Sequence, residues 1–257
     1  MLQALIWDVD GTLAETEIDG HRVAFNAAFA AQRLPWRWSE PRYVELLAVT
    51  GGRERLLHDM ASRPDAPPGA DEREQLARTL HAEKNRRYAQ LVAEARIALR
   101  PGVRALLAEA ESAGLRQAIA TTTSRANVEA LLGAHLGAGW EGRFAAVVCA
   151  EDAPIKKPHP QAYQLCLQRL GLAAAEALAI EDSPNGVAAA RAAGLPVLVT
   201  RSLPFASEEF KDALAVCEDL LHLAVPAAGL QLALGARPDL GTLRDWHARW
   251  GRFSCGR

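Results

Sequence analysis

The chain is short of every feature that would set it apart from an ordinary folded protein. Only four of its 257 residues are cysteine, and Cys149, Cys166, Cys217 and Cys255 show neither CxxC spacing nor the density of a disulfide framework. No apolar run approaches the ~20 residues of a membrane span, so no membrane partner is expected. The first residues lack the basic segment and cleavage site of a signal peptide, which points to a cytoplasmic protein. Charge of one sign is missing too. The formal net charge is −2, whereas a nucleic-acid partner calls for a basic excess. Internal repeats are absent, and between Glu15 and Arg96 no strand signal of any strength occurs.

What is there reads as a well-filled globular protein. Hydrophobic residues make up 49% and charged residues 23%, enough for one large domain or two smaller ones. The chain opens on an apolar run, Leu2 to Trp7 with one polar break at Gln3, that has the character of a buried strand of a parallel sheet. That run ends in Asp8-Val9-Asp10-Gly11-Thr12. Two carboxylates crowded at a strand end repel unless a cation or proton lies between them, although Asp and Gly are also common turn residues.

The next 80 residues are helical in pattern, with loops such as Pro64–Gly69 between the segments. The stretches 40–48 and 53–62 and a long segment, 71–95, with room for one break, make up an insertion. From Pro101 onward helices and strands alternate. Strands are expected at 115–120, 144–150, 177–180 and 195–200, each preceded or followed by an amphipathic helix. Such βαβα order predicts an α/β fold with a doubly wound, Rossmann-like parallel sheet and a small all-helical cap domain inserted in it. The domains expected are a core of residues 1–15 and 96–224, a cap of 16–95, and a tail of 225–257. Within the tail, Leu240, Leu243, Trp246 and Trp250 space as an amphipathic helix whose simplest use is to pack back on the core.

Four strand ends carry polar groups: Asp8 with Asp10, Thr121 to Ser124, the stretch Lys156-Lys157-Pro158-His159-Pro160, and Glu181-Asp182-Ser183. Each has an ordinary alternative. Ser124 and Ser183 suit helix caps, and a lysine pair is commonly a solvated surface. In open α/β sheets, however, reacting groups gather beyond the carboxyl ends of the strands. Gathered there, these residues suit phosphoryl transfer through a covalent aspartyl-phosphate. Hard oxygen ligands from Asp8, Glu181 and Asp182 suit Mg²⁺. Lys157 can neutralise phosphoryl oxygens, the Thr121 hydroxyl can donate to them, and Asp10 can move a proton to and from the reacting oxygens.

In order and spacing these four motifs resemble those of the haloacid dehalogenase superfamily, over residues 1 to about 222. The resemblance implies that Asp8 is the nucleophile and Asp10 the acid/base. It also implies that Mg²⁺ is held by Asp8, the backbone carbonyl at Asp10, Glu181 and Asp182. A helical insertion directly after the first motif is similar to the cap of the phosphoglucomutase-like branch. Glu15-Thr16-Glu17, His21-Arg22, Phe25-Asn26 and Thr50-Gly51-Gly52-Arg53-Glu54-Arg55, with Thr121 to Ser124 and Asn127, resemble the CbbY-type phosphatases, which act on xylulose 1,5-bisphosphate. The substrate implied is a small phosphorylated sugar, read by Glu15, His21, Thr50, Gly51, Gly52, Arg53, Arg55, Thr122 and Thr123. Gly51-Gly52 lets backbone come close to a ligand, and the two arginines offer forks for a second phosphate. A sugar phosphomutase on the same scaffold and a non-catalytic sensor of phosphorylated ligands are the alternatives. A monomer or weak homo-oligomer is expected.

Overall fold

The computed structural model describes residues 1–222, 225–226 and 237–254, of which 225–226 and 251–254 are described by backbone alone. Its centre is β1 (Ala4–Trp7), four residues buried on both faces. Side chains alternate across a strand, so Leu5 and Trp7 enter one apolar cluster while Ala4 and Ile6 enter the other. Burial on both faces is the reason the run is apolar without interruption.

The elements follow in the order α1 (Val23–Ala31), α2 (Glu40–Leu46), α3 (Gly52–Ala61), α4 (Ala70–Ala93), α5 (Val103–Ser112), β2 (Arg116–Ala120), α6 (Arg125–Leu136), β3 (Ala146–Val148) and α7 (Gln161–Leu170). They continue with β4 (Ala177–Glu181), α8 (Pro184–Ala192), β5 (Val197–Thr200), β6 (Ala215–Cys217), β7 (Val225–Pro226) and α9 (Leu240–Ser254). The sheet runs β3-β2-β1-β4-β5-β6-β7, parallel throughout except for β7. This is the doubly wound order, and it places β1 at the point where the winding reverses. β1 pairs with β2 on one side and β4 on the other, so its carboxyl end opens into the crevice between their outgoing loops.

Three departures from the sequence pattern are instructive. α4 is one unbroken helix of 24 residues, because its Leu80, Tyr88 and Leu91 are buried along one continuous stripe. Strands β6 and β7 gave no signal, being three and two residues long, below the length at which alternation can be read. Residues Glu17–Arg22 form a π-helical turn leading into α1, a rare form that no periodicity announces.

Residues 17–93 contribute no strand, and their aromatic side chains build a separate cluster. The Trp38 ring lies 4.8 Å from Phe25 and 5.0 Å from Phe29. Asn26 clamps the Trp38 backbone on both sides, donating to its carbonyl at 2.9 Å and accepting from its N–H at 2.8 Å. α9 lays Leu240, Leu243 and Trp246 on the face that holds Trp7, as its spacing requires. Cys149, Cys166 and Cys217 are buried free thiols, while Cys255 lies outside the described residues. Among the described residues no helix is long and apolar enough to cross a membrane.

Candidate active site

Asp8 leaves the end of β1 still held by the sheet, its N–H donating to the Ile180 carbonyl at 3.0 Å. The chain then turns tightly. Gly11 stands at φ +82°, and a Cβ there would fall 2.0 Å from Asp182 Oδ2, so only glycine lets the turn pass the second acidic strand end. The carboxylates of Asp8, Glu181 and Asp182 are all buried, with oxygens within 4.8 Å of one another. Lys157 Nζ donates to Asp8 Oδ1 at 2.7 Å and to Glu181 Oε1 at 2.6 Å. Tyr163 donates its hydroxyl to the same Glu181 oxygen, and Ser202 Oγ donates to Asp182 Oδ2 at 2.6 Å.

One ammonium does not balance three buried carboxylates. Burial pushes Asp8 up to about 8, with Glu181 and Asp10 adding repulsion and Lys157 opposing it. Asp182 is pushed well above the usual range, by burial first and then by Asp8 and Glu181. An arrangement that raises its own acids in this way has the charge and the hard oxygen donors of a divalent-cation site.

Asp10 faces the other way. Its Oδ1 accepts from Thr16 Oγ1 at 2.7 Å and pairs with His21 Nε2 at 2.8 Å, so its carboxylate stands outside the three-acid group. Burial opposes ionisation, yet His21 and Thr16 together with the Lys84 charge hold Asp10 well below the usual range. The His21 ring stacks on Tyr88 at 4.4 Å, which fixes its plane.

Two cavities meet at Asp10, Glu17, Arg55 and Thr122. The first, about 430 Å³, reaches Asp8, Thr121, Lys157 and Asp182 and is bordered by Thr50. The second, about 290 Å³, is bordered by His21, Gly51, Gly52, Arg53, Thr123 and Lys156. All the expected residues but two therefore border one continuous cleft. Glu181 stands behind it, fully buried. Glu15 lines neither cavity, because its carboxylate accepts from the Leu203 N–H at 3.3 Å and faces Arg100 at 3.9 Å.

The two arginines are not alike. Arg55 is buried, donating to the Leu46 carbonyl at 3.1 Å and the Tyr43 hydroxyl at 2.8 Å, and the same hydroxyl donates to Glu17 at 2.6 Å. Arg53 is 43% exposed and pairs with Glu74 at 2.7 Å and Glu54 at 3.3 Å. Thr50 accepts from Asn185 at 3.0 Å, which ties the helical segment to the start of α8. Of the two serines, Ser183 caps α8, accepting from the Gly186 N–H at 3.1 Å, whereas Ser124 makes no such cap on α6.

Lys84 was missed from the sequence, although a signal existed. It is a charged side chain on the buried stripe of α4 between Leu80 and Tyr88, four residues from each. Its ammonium lies 5.3 Å from both the Phe25 and Tyr88 rings, and burial lowers it to about 8 against the pull of Asp10 and Glu17. His81, one turn earlier on the cavity wall, is pushed down to about 3 by burial and by Lys84. Tyr163 and Ser202 carried no signal, since each acts through a partner distant in sequence.

Residues 2–194 match the family of haloacid dehalogenase-like hydrolases. Protein CbbY of a Cupriavidus necator plasmid is 51% identical over 251 residues, spanning 96% of this chain and 97% of the relative. The crystal structure of CbbY from Rhodobacter sphaeroides with phosphate superposes with a TM-score of 0.81 at 39% identity, over 95% of this chain and 100% of that one. A mutant of that protein in complex with xylulose 1,5-bisphosphate gives 0.80 at 41% identity, over 85% and 95%. The chain belongs to the haloacid dehalogenase-like hydrolases, as a phosphatase of the CbbY type.

Proposed function

We propose that this enzyme is a Mg²⁺-dependent phosphatase of a small sugar bisphosphate, of which xylulose 1,5-bisphosphate is the leading case. The observation that carries the reading is the pair of cavities joined at Asp10, one bordered by the three-acid group and Lys157, the other by Arg53 and Lys156. A substrate with a phosphate at each end fits such a cleft in chemistry and in polarity. The mutant relative bound to that sugar bisphosphate supports the choice.

Asp8, Asp182 and Glu181 are the residues that would hold Mg²⁺. When bound, the ion supplies the positive charge that lets an anionic phosphoryl group approach a carboxylate. Asp8 attacks phosphorus and forms an aspartyl-phosphate, the sugar oxygen leaving as an alcohol. Lys157 and the Thr121 hydroxyl neutralise and hold the phosphoryl oxygens. Glu181 and Tyr163 keep the lysine aimed at Asp8. Asp10 relays a proton from its partner His21 to the leaving oxygen and later takes one from the attacking water, and Thr16 and His21 set its orientation. Residues 16–95 act as the cap, with Arg53 and Lys84 facing the far end of the substrate and Arg55 holding Tyr43 and Glu17 in place.

The test is phosphate release across sugar mono- and bisphosphates, with Mg²⁺ and with excess chelator. Turnover of bisphosphates that vanishes on chelation and returns with Mg²⁺ is expected. Full turnover in chelator would end the reading.

A further inference from the structure

The N-terminus of α6 is capped in an unusual way. Ser124 has the residue type and the extended backbone of a cap, φ −71° and ψ 151°, yet its side chain makes no cap bond. Its Oγ is buried without a hydrogen-bond partner at the wall of the smaller cavity. The first helical N–H, that of Arg125, donates instead to both carboxylate oxygens of Glu151, at 3.2 and 3.0 Å. Glu151 is exposed and borders the same cavity, with Lys156 and Arg53 also on its wall.

A carboxylate and a phosphate ask for the same thing, N–H donors at the positive end of a helix dipole. A group that meets this demand from an exposed side chain can leave it at little cost, since it returns to water. We propose that Glu151 is a specificity-determining residue, an internal competitor for the α6 N-terminus that the second phosphate of the substrate displaces. This rests on the sugar-bisphosphate reading and deepens it. A phosphate dianion carries more charge than one carboxylate and offers three acceptor oxygens, enough to reach the Arg125 N–H and the idle Ser124 hydroxyl together. An uncharged sugar terminus cannot displace Glu151. A single carboxylate gains nothing by replacing another. The competitor therefore weakens the binding of a dianionic far end alone, and narrows the advantage that such an end would otherwise hold over an uncharged one.

The experiment compares xylulose 1,5-bisphosphate with a pentulose monophosphate for the full chain and for Glu151→Ala, Glu151→Gln and Arg53→Ala. Removing the competitor is expected to raise the bisphosphate-over-monophosphate ratio of kcat/KM by about two- to tenfold, through KM rather than kcat. Raising the ionic strength should shrink the gain, because the competition is electrostatic. A ratio that stays level or falls in both Glu151 variants overturns the proposal, since a merely structural cap would leave it level and a supporting ligand would lower it. Arg53→Ala separates the layers. If it lowers the ratio while the Glu151 variants do not raise it, the competitor fails and the bisphosphate reading stands. If it too leaves the ratio level, both fail.

Discussion

On the two sides of Asp10 the protein solves two different electrostatic problems. On the sheet side, Asp8, Glu181, Asp182 and Lys157 are buried, with Lys157 bonded to Asp8 and Glu181 and Ser202 bonded to Asp182. On the helical side, Arg53 is 43% exposed and its guanidinium is shared between two glutamates, Glu54 and Glu74, whose own side chains are partly exposed. Buried charges in fixed positions act on bonds that break and form, because nothing must reorganise during the step. Exposed, exchangeable pairs contribute less each, and suit recognition that must be reversible. In the proposed function, chemistry and discrimination thus fall in different dielectric environments.

The largest effects should come from the sheet side. Asp8→Asn keeps the shape of the side chain but removes the nucleophile, so phosphate release should fall to background while the thermal unfolding midpoint stays near that of the parent. Residual turnover close to normal would mean that the buried carboxylates are not where the bond forms. Asp10→Asn tests the boundary itself. Loss of the proton partner should slow turnover by ~10²–10⁴ for mono- and bisphosphates alike. A loss confined to bisphosphates would move Asp10 to the recognition side.

Smaller and more selective losses are expected from the helices. Arg53→Ala removes one charge-assisted bond, worth ~1.5–3 kcal/mol, and should lower kcat/KM for a bisphosphate by roughly one to two decades while a monophosphate changes little. An equal loss on both would erase the division drawn here. The smallest effect concerns Lys84. Its folded-state value of about 8 means the ammonium is charged below that pH and neutral above it. Affinity for a phosphorylated ligand should therefore weaken as pH rises through about 8, and Lys84→Arg should flatten that limb of the KM profile. A limb that persists in the arginine variant would belong to another group.

Much of the sheet side was legible beforehand because strand ends announce themselves. An apolar run that stops at Asp8, at Thr121 or at Glu181 marks both the end of a strand and the group placed there. The helical side was legible only in part. Arg53 and Arg55 are two residues apart and look equivalent in sequence, yet one lies at the rim and the other is buried under Tyr43. Helical neighbours two apart face different directions, and which direction is inward depends on the partner helix. Glu15, which the resemblance assigns to the ligand, accepts from the Leu203 N–H at 3.3 Å, a partner 188 residues away that no local pattern records.

By itself the sequence determined the doubly wound sheet, the position of the insertion after the first strand, and the identity of the groups at the four strand ends, since all three are written in local periodicity and in the residue that ends each run. Only the tertiary structure decided that Asp10 turns away from the other acids toward His21, that Ser183 caps its helix while Ser124 does not, and that Glu151 holds the N-terminus of α6. The first and the last depend on groups that meet across 11 and 26 residues of chain, where no local pattern records the distance. Geometry of that kind is set by packing, and packing exists only once the chain has folded.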